Sequence, residues 1–238
     1  MLKRLVVFSH SHTYFTFYSE AKYCLKNLSE LHCDSNINSE IFYQLSQICH
    51  NIQSLTIEFG NMISNGLTDL ISVQKNLKYF DIIQHYNCDI TLGIIPLLAT
   101  NLSNTIIKLS IYHRQRQNTS LSFITNFTSL QELEFLFDDV EEFKGFENLQ
   151  YTNFPKLQIL RIQYSCPRYE LLAKFLEING RNLKKLYLDE CSDYSVNLAI
   201  AKFCINLRKL TTKFKNDELE TLKMVFDGCQ YLETIEIW

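Results

Sequence analysis

A pattern of three apolar residues, spaced as L-x-x-L-x-L, recurs along this chain at a nearly constant step. It is clearest in Asn182 to Leu207, NLKKLYLDECSDYSVNLAIAKFCINL, where Leu183, Leu186 and Leu188 open a unit that runs through Cys191 and Cys204 before the pattern restarts at Leu207. The same register gives Leu2/Leu5/Val7, Leu28/Leu31/Cys33, Ile52/Leu55/Ile57, Leu77/Phe80/Ile82, Ile106/Leu109/Ile111, Leu130/Leu133/Phe135, Leu157/Leu160/Ile162, Leu207/Leu210/Thr212 and Leu232/Ile235/Ile237, ten units in all. Successive first positions lie 26, 24, 25, 29, 24, 27, 26, 24 and 25 residues apart. One apolar triplet arises easily by chance, but ten at one step do not. Asn precedes the first apolar position in five of them (Asn27, Asn51, Asn76, Asn182 and Asn206), which supports the phase independently.

Steps of this size fall in or at the edge of the 20–29-residue range of leucine-rich repeats. The expected fold is therefore α/β: a leucine-rich-repeat solenoid with a curved parallel sheet on the concave side and helices on the convex side. Each triplet should be a short strand whose alternate residues point to the core, while those between them face the inner surface. The repeat spans residues 1–238 and leaves no room for a second domain, so the chain reads as a single solenoid of about ten repeats. Neither end carries a polar capping unit of the kind solenoids require. The reading is that the chain belongs to a longer product or that a partner covers its ends.

Helical spacing recurs between the triplets. Ile41, Leu45, Ile48 and Cys49 form one such face, with Asn38 or Ser39 as N-cap. Leu171, Leu172, Phe175, Leu176 and Ile178 form another, with Gly180 as its stop, and Leu219, Leu222, Val225 and Phe226 a third, between Asn216 as cap and Gly228 as stop. Gly93 and Pro96 interrupt the run from Thr91 to Asn101 and weaken a helix there. The acidic segment from Phe137 to Asn148 has little periodicity and reads as an irregular, solvated outer stretch.

Composition narrows the function classes. The net charge of −3, with 21% charged and 46% apolar residues, lacks the basic excess of a nucleic-acid surface. No apolar run approaches the roughly 18 residues of a membrane helix, and the run behind Lys3 and Arg4 is too short for a signal-peptide core. The expected compartment is cytoplasm or nucleus. Eight cysteines and four Asn-x-Ser/Thr triplets (Asn27, Asn101, Asn118, Asn126) raise the alternative of a secreted chain. Against it, Cys49, Cys204 and Cys229 each stand three residues before the next first position, a recurring packing role for a small buried hydrophobe. Helical sides of adjacent rungs about 10 Å apart are too distant for a disulfide, so reduced thiols are expected.

Searches for chemistry return nothing specific. G-x-S-x-G, H-E-x-x-H, the phosphate-binding G-x-x-x-x-G-K-S/T and C-x-x-C are all absent. His10 and His12, or Cys49 beside His50, fall short of the three or four converging ligands zinc needs. No catalytic residue, cofactor or metal is assigned, and the chain is expected not to be an enzyme. What remains is the inner surface. Early rungs place Glu30, Asp34, Glu58 and Asp81 on it, and late rungs place Arg161, Lys185, Tyr187, Lys209 and Lys213 there, with Asp189 opposing. Between them come Tyr79, Ile83, Tyr112, Leu136 and Ile159. Aromatic anchors flanked by orienting charge suit a protein ligand, and these residues are the candidate binding surface. Its partner is a protein, not a nucleic acid or a membrane.

The unit at Leu183, with Cys191 after the strand and Ala201-Lys202-Phe203-Cys204 before Leu207, resembles the cysteine-containing leucine-rich repeats of F-box proteins, and the stretches IFYQLSQIC (41–49) and MVFDGC (224–229) repeat its form. Several units lack the Cys, Thr212 replaces an apolar strand residue, and Cys33 stands in another. The resemblance implies the substrate-binding repeats of a ubiquitin-ligase receptor. In that family a short N-terminal helical F-box docks the adaptor of a cullin ligase; no F-box is visible here, since Met1 already lies at a repeat. No functional residue transfers, because such repeats share a scaffold and not a site. The alternative is a repeat scaffold unconnected to ubiquitin, or a gene fragment.

Overall fold

A computed structural model of the protein describes residues 2–8, 20–85, 90, 93–113 and 119–238. They gather in two compact units, Met1–Gln117 and Asn118–Trp238.

In the first unit the strands are β1 (Arg4–Val7), β2 (Glu30–Asp34), β3 (Ser54–Phe59), β4 (Tyr79–Gln84) and β5 (Lys108–His113), each on an expected triplet. They pair in chain order, all parallel, and without slippage: Leu5, Leu31, Leu55, Phe80 and Leu109 lie side by side. The chain returns between strands through α1 (Ala21–Leu25), α2 (Ser39–Ile48), α3 (Asn65–Ser72) and α4 (Ile94–Asn101). Asn38 caps α2 as expected, its side chain accepting from the Glu40 N–H. The helix doubted between Thr91 and Asn101 does form. Gly93 precedes it and Pro96 falls in its first turn, where a missing N–H costs no internal hydrogen bond.

The second unit repeats the plan with β6 (Glu132–Phe137), β7 (Ile159–Gln163), β8 (Lys185–Leu188), β9 (Lys209–Thr212) and β10 (Thr234–Ile237). Leu133, Leu160, Leu186, Leu210 and Ile235 form its ladder, again all parallel. Its helices are α5 (Phe146–Leu149), α6 (Tyr169–Asn179), α7 (Tyr194–Phe203) and α8 (Leu219–Gly228), the last three packed in series. The acidic stretch after β6 holds a 3-10 turn, Val140–Phe143, and the four-residue α5. It is not all solvated surface. Glu142 is buried, and Phe143 and Phe146 meet Phe135 of β6 at 5.8 and 6.1 Å between ring centroids.

Along the strands, alternate residues are buried with the helices' apolar faces, and the intervening ones form an open sheet face. This alternation follows from the pleat, and each fully covered Leu contributes about 1.5–3 kcal/mol. Thr212 breaks the apolar rule by joining a buried polar group. Its hydroxyl donates to Asn197 Oδ1 (3.3 Å), and Asn197 Nδ2 donates to Glu218 (2.6 Å) and to the Lys213 carbonyl (3.1 Å).

The position three residues before the triplet has a common role in three of the rungs. The Cys49 thiol donates to the Leu25 carbonyl (3.4 Å) and the Cys229 thiol to the Cys204 carbonyl (3.4 Å), in each case the equivalent position of the preceding rung. Gln74 stands at this place in its own rung. Its Nε2 donates to the carbonyls of Cys49 (2.7 Å) and Leu70 (2.9 Å), and its Oε1 accepts from the Ile52 N–H (3.0 Å). Burial holds these thiols protonated, pushing Cys49 up to about 12 and Cys229 to about 11.

Three expectations need correction. Helices α6 and α8 do end at Gly180 and Gly228 as expected, but not by a left-handed turn. Gly180 keeps a right-handed φ of −57°, and both are glycine because a neighbouring layer is close: a Cβ on Gly180 would lie 2.9 Å from Cys204 Sγ, and one on Gly228 would overlap the Ala201 carbonyl oxygen. Helix α8 begins after Glu218, without Asn216 as its cap. The cysteines are not all reduced, because Cys166 and Cys191 form a disulfide with a Cα–Cα distance of 5.3 Å. They sit in the loops just beyond β7 and β8, where neighbouring strands are about 4.8 Å apart. The helix-diameter argument does not reach that side of the rung.

Candidate protein-binding surface

In the first unit the open face is built from residues two apart on each strand. Strand β2 contributes Glu30, His32 and Asp34; β3 Ser54, Thr56 and Glu58; β4 Tyr79, Asp81 and Ile83; and β5 Lys108, Ser110 and Tyr112. The register sets Ile83 beside Tyr112 and Tyr79 beside Lys108, with Glu58 on the other side of Ile83. Glu58 is bracketed by imidazoles: its two oxygens lie 2.7 Å from His32 Nε2 and 3.2 Å from His85 Nε2. The rings continue outward, His32 edge-on to Phe8 (5.5 Å) and His85 edge-on to Tyr112 (6.4 Å). Thr56 donates to Asp81 (3.0 Å). The expected acidic residues and Tyr79, Ile83 and Tyr112 are all on this face. His32 and His85, which tie Glu58 to the aromatics, were not singled out in the sequence, although His32 has the same strand parity as Glu30 and Asp34.

In the second unit the open face carries Glu132, Glu134 and Leu136 from β6, Ile159 and Arg161 from β7, Lys185 and Tyr187 from β8, and Lys209 and Thr211 from β9. Lys213 follows β9. The expected basic end is here, largely neutralised by carboxylates on neighbouring strands. Arg161 Nε lies 3.4 Å from Glu132 and 4.0 Å from Glu134, and its guanidinium rests 3.9 Å over the Tyr187 ring. Lys209 approaches the same ring at 5.5 Å and pairs with Glu236 at 2.8 Å; Thr211 donates to that carboxylate (3.0 Å). Lys213 pairs with Glu190 at 2.7 Å.

These contacts show in the acid–base behaviour. The Lys209 hydrogen bond, followed by that of Thr211, holds the Glu236 carboxyl below its usual range, and the same bond raises the Lys209 ammonium. Burial, then the neighbouring Glu190, raises Asp189 against the opposing effects of Gln163 and Lys213. Lys185 is exposed and has no ion-pair partner among the described residues. Ile159 sits between Glu132 and Lys185, whereas Leu136 pairs with Gln163 at the far end of its strand, so the two apolar residues are not neighbours.

Among the described residues no three His, Cys, Asp or Glu side chains converge to hold a metal ion, and no helix is long and apolar enough to cross a membrane. His10 and His12 lie outside the described residues. In comparisons with known proteins, no family model matches the chain and no curated protein matches it in sequence.

Proposed function

We propose that this chain is a leucine-rich-repeat domain that binds a protein partner on its open sheet faces and performs no catalysis itself. Its model is the substrate-holding repeats of F-box ubiquitin-ligase receptors. The observation that carries the reading is the placement of exposed Tyr79 and half-buried Ile83 and Tyr112 on paired strands, on the face opposite the core and bordered by Asp81 and the His32–Glu58–His85 group. Large, stiff aromatic side chains lose little entropy when covered, and bordering charge orients an incoming chain. On the second unit, Arg161, Tyr187 and Lys209 are already held by their own contacts, so a partner meets preset side chains. The ubiquitin connection draws on the recurring buried Cys49, Cys204 and Cys229.

A photo-crosslinking side chain at position 112 should capture a discrete protein in cells, and the same probe at exposed Tyr43 of α2 should not. Tyr112→Ala should weaken that complex with the unfolding midpoint unchanged. Equal capture from both positions, or unfolding of the variant, overturns the surface assignment. A cullin-ligase adaptor in the complex, with a longer partner half-life on depletion of the chain, supports the receptor role. Its absence leaves a scaffold unconnected to ubiquitin.

A further inference from the structure

Among the described residues Cys24 is an exposed free thiol, and the other cysteines divide into two chemical classes. Cys33, Cys49, Cys204 and Cys229 are buried thiols, raised well above the ordinary cysteine range by burial, and neither attack nor ionise readily. Cys166 and Cys191 are joined, and their two sulfurs are not equivalent. Cys191 is fully covered. Cys166 lines an open cavity of about 600 Å³ together with Tyr164, Ser165, Pro167, Arg168 and Glu190. Cys166 is 8% exposed and Cys191 0%, so a reagent entering the cavity reaches residue 166 and not residue 191.

The bridge also spans a constrained region. Two residues before Cys166, Tyr164 has φ 69°, the left-handed region that a bulky side chain rarely adopts, and Pro167 follows immediately. On the other loop Glu190, adjacent to Cys191, holds Lys213 at 2.7 Å, and Lys213 belongs to the candidate surface. The clasp therefore joins two loops, one carrying backbone strain and the other an ion pair.

We propose that Cys166 Sγ is a thiol–disulfide exchange site for a small thiol of the glutathione class, and that its reduction unclasps the loops that follow β7 and β8. The thiolate attacks Cys166 Sγ, the bond between the two cysteines breaks, and its electron pair leaves on Cys191 Sγ, which takes up the proton the incoming thiol gave up. A second thiol attacks the mixed disulfide, releases the oxidised reagent and leaves Cys166 as a thiol. Two reagent thiols become one disulfide, and the protein disulfide becomes two thiols. The direction is set by access, since Cys191 is shielded and serves as the leaving group. The exchange does not depend on the binding role proposed above.

The test begins with protein purified without reductant and denatured in the presence of an alkylating agent. Cys166 and Cys191 should escape modification, and peptide mapping should give a Cys166–Cys191 link. Folded protein treated with reduced glutathione and quenched with acid should carry the adduct on Cys166. Cys191→Ser should take an adduct from oxidised glutathione at Cys166, whereas Cys166→Ser should leave Cys191 unmodified. Both variants lack the bridge, so a difference between them is not a folding effect. If neither folds, the adduct position on the unaltered protein decides alone. Reduction should speed amide exchange in residues 163–169 and 189–193 and leave β2 and β3 unchanged. Alkylation of Cys166 and Cys191 in the unreduced sample, an adduct on Cys191, no adduct on the folded protein, or unchanged loop exchange overturns the proposal.

Discussion

Gln74 tests the rung-to-rung connection most sharply. Its amide is 2% exposed and makes three hydrogen bonds, one to a helix carbonyl of its own rung and two to the backbone of the preceding turn. Gln74→Ala strips the partner from the Ile52 N–H and the Cys49 carbonyl. A buried backbone group left unsatisfied costs about 1–3 kcal/mol, so the pair costs about 2–6 kcal/mol. Cys49→Ala, which removes one weak thiol donor and a single sulfur, should cost about 1 kcal/mol. Gln74→Glu separates donor from shape. The introduced carboxylate keeps the length of the amide but cannot donate to Cys49, and burial raises its pKa above the unfolded value. Its destabilisation is therefore full above the folded pKa and shrinks as pH falls and the group becomes a donor again. Urea unfolding followed by circular dichroism, at neutral pH and near pH 4, reads all three variants. A Gln74→Ala cost no larger than that of Cys49→Ala, or a Gln74→Glu deficit that does not shrink in acid, refutes the bridging role.

Leu186→Ala should cost about 2–5 kcal/mol in the same assay, because Leu186 is fully buried at the centre of its ladder. Tyr164→Gly should stabilise the second unit by about 1 kcal/mol through relief of its left-handed conformation, seen as a higher unfolding midpoint; a lower midpoint shows that the tyrosine ring itself stabilises the turn. The Glu236 carboxyl, held low by Lys209 and Thr211, contributes stability that is present above its unfolded pKa and lost as pH falls through the folded one. Its titration by NMR should lie below that of an unperturbed glutamate, and Lys209→Met should move it back up.

Much of the framework was readable because it depends on a single repeating constraint. A period of two inside each triplet and a step near 25 residues place the strands, and every triplet carries one. Features that depend on two rungs at once were harder to read. Gly180 and Gly228 look like helix stops in isolation, yet their glycine character answers to Cys204 and Ala201 of neighbouring layers. Thr212 is anomalous until Asn197 and Glu218 are brought beneath it. The basic residues Arg161, Lys209 and Lys213 were visible, but Glu132, Glu134, Glu190 and Glu236, which pair with them, become partners only through the cross-strand register. The disulfide left a signal as well: Cys166 and Cys191 are 25 residues apart, one repeat step, and both fall just after a triplet. Spacing on the strand side of the rung was the quantity to apply.

The bonds that Cys49, Gln74 and Cys229 make point backwards along the chain, and this matters during synthesis. The Leu25 carbonyl waits for Cys49, the Cys49 carbonyl for Gln74, and the Cys204 carbonyl for Cys229. A ribosome adding about 5–20 residues per second needs about 1–5 s to deliver the next rung. Through that interval each of these three carbonyls lacks the side chain that closes it in the folded protein, so at these rungs one layer is completed only when the next arrives.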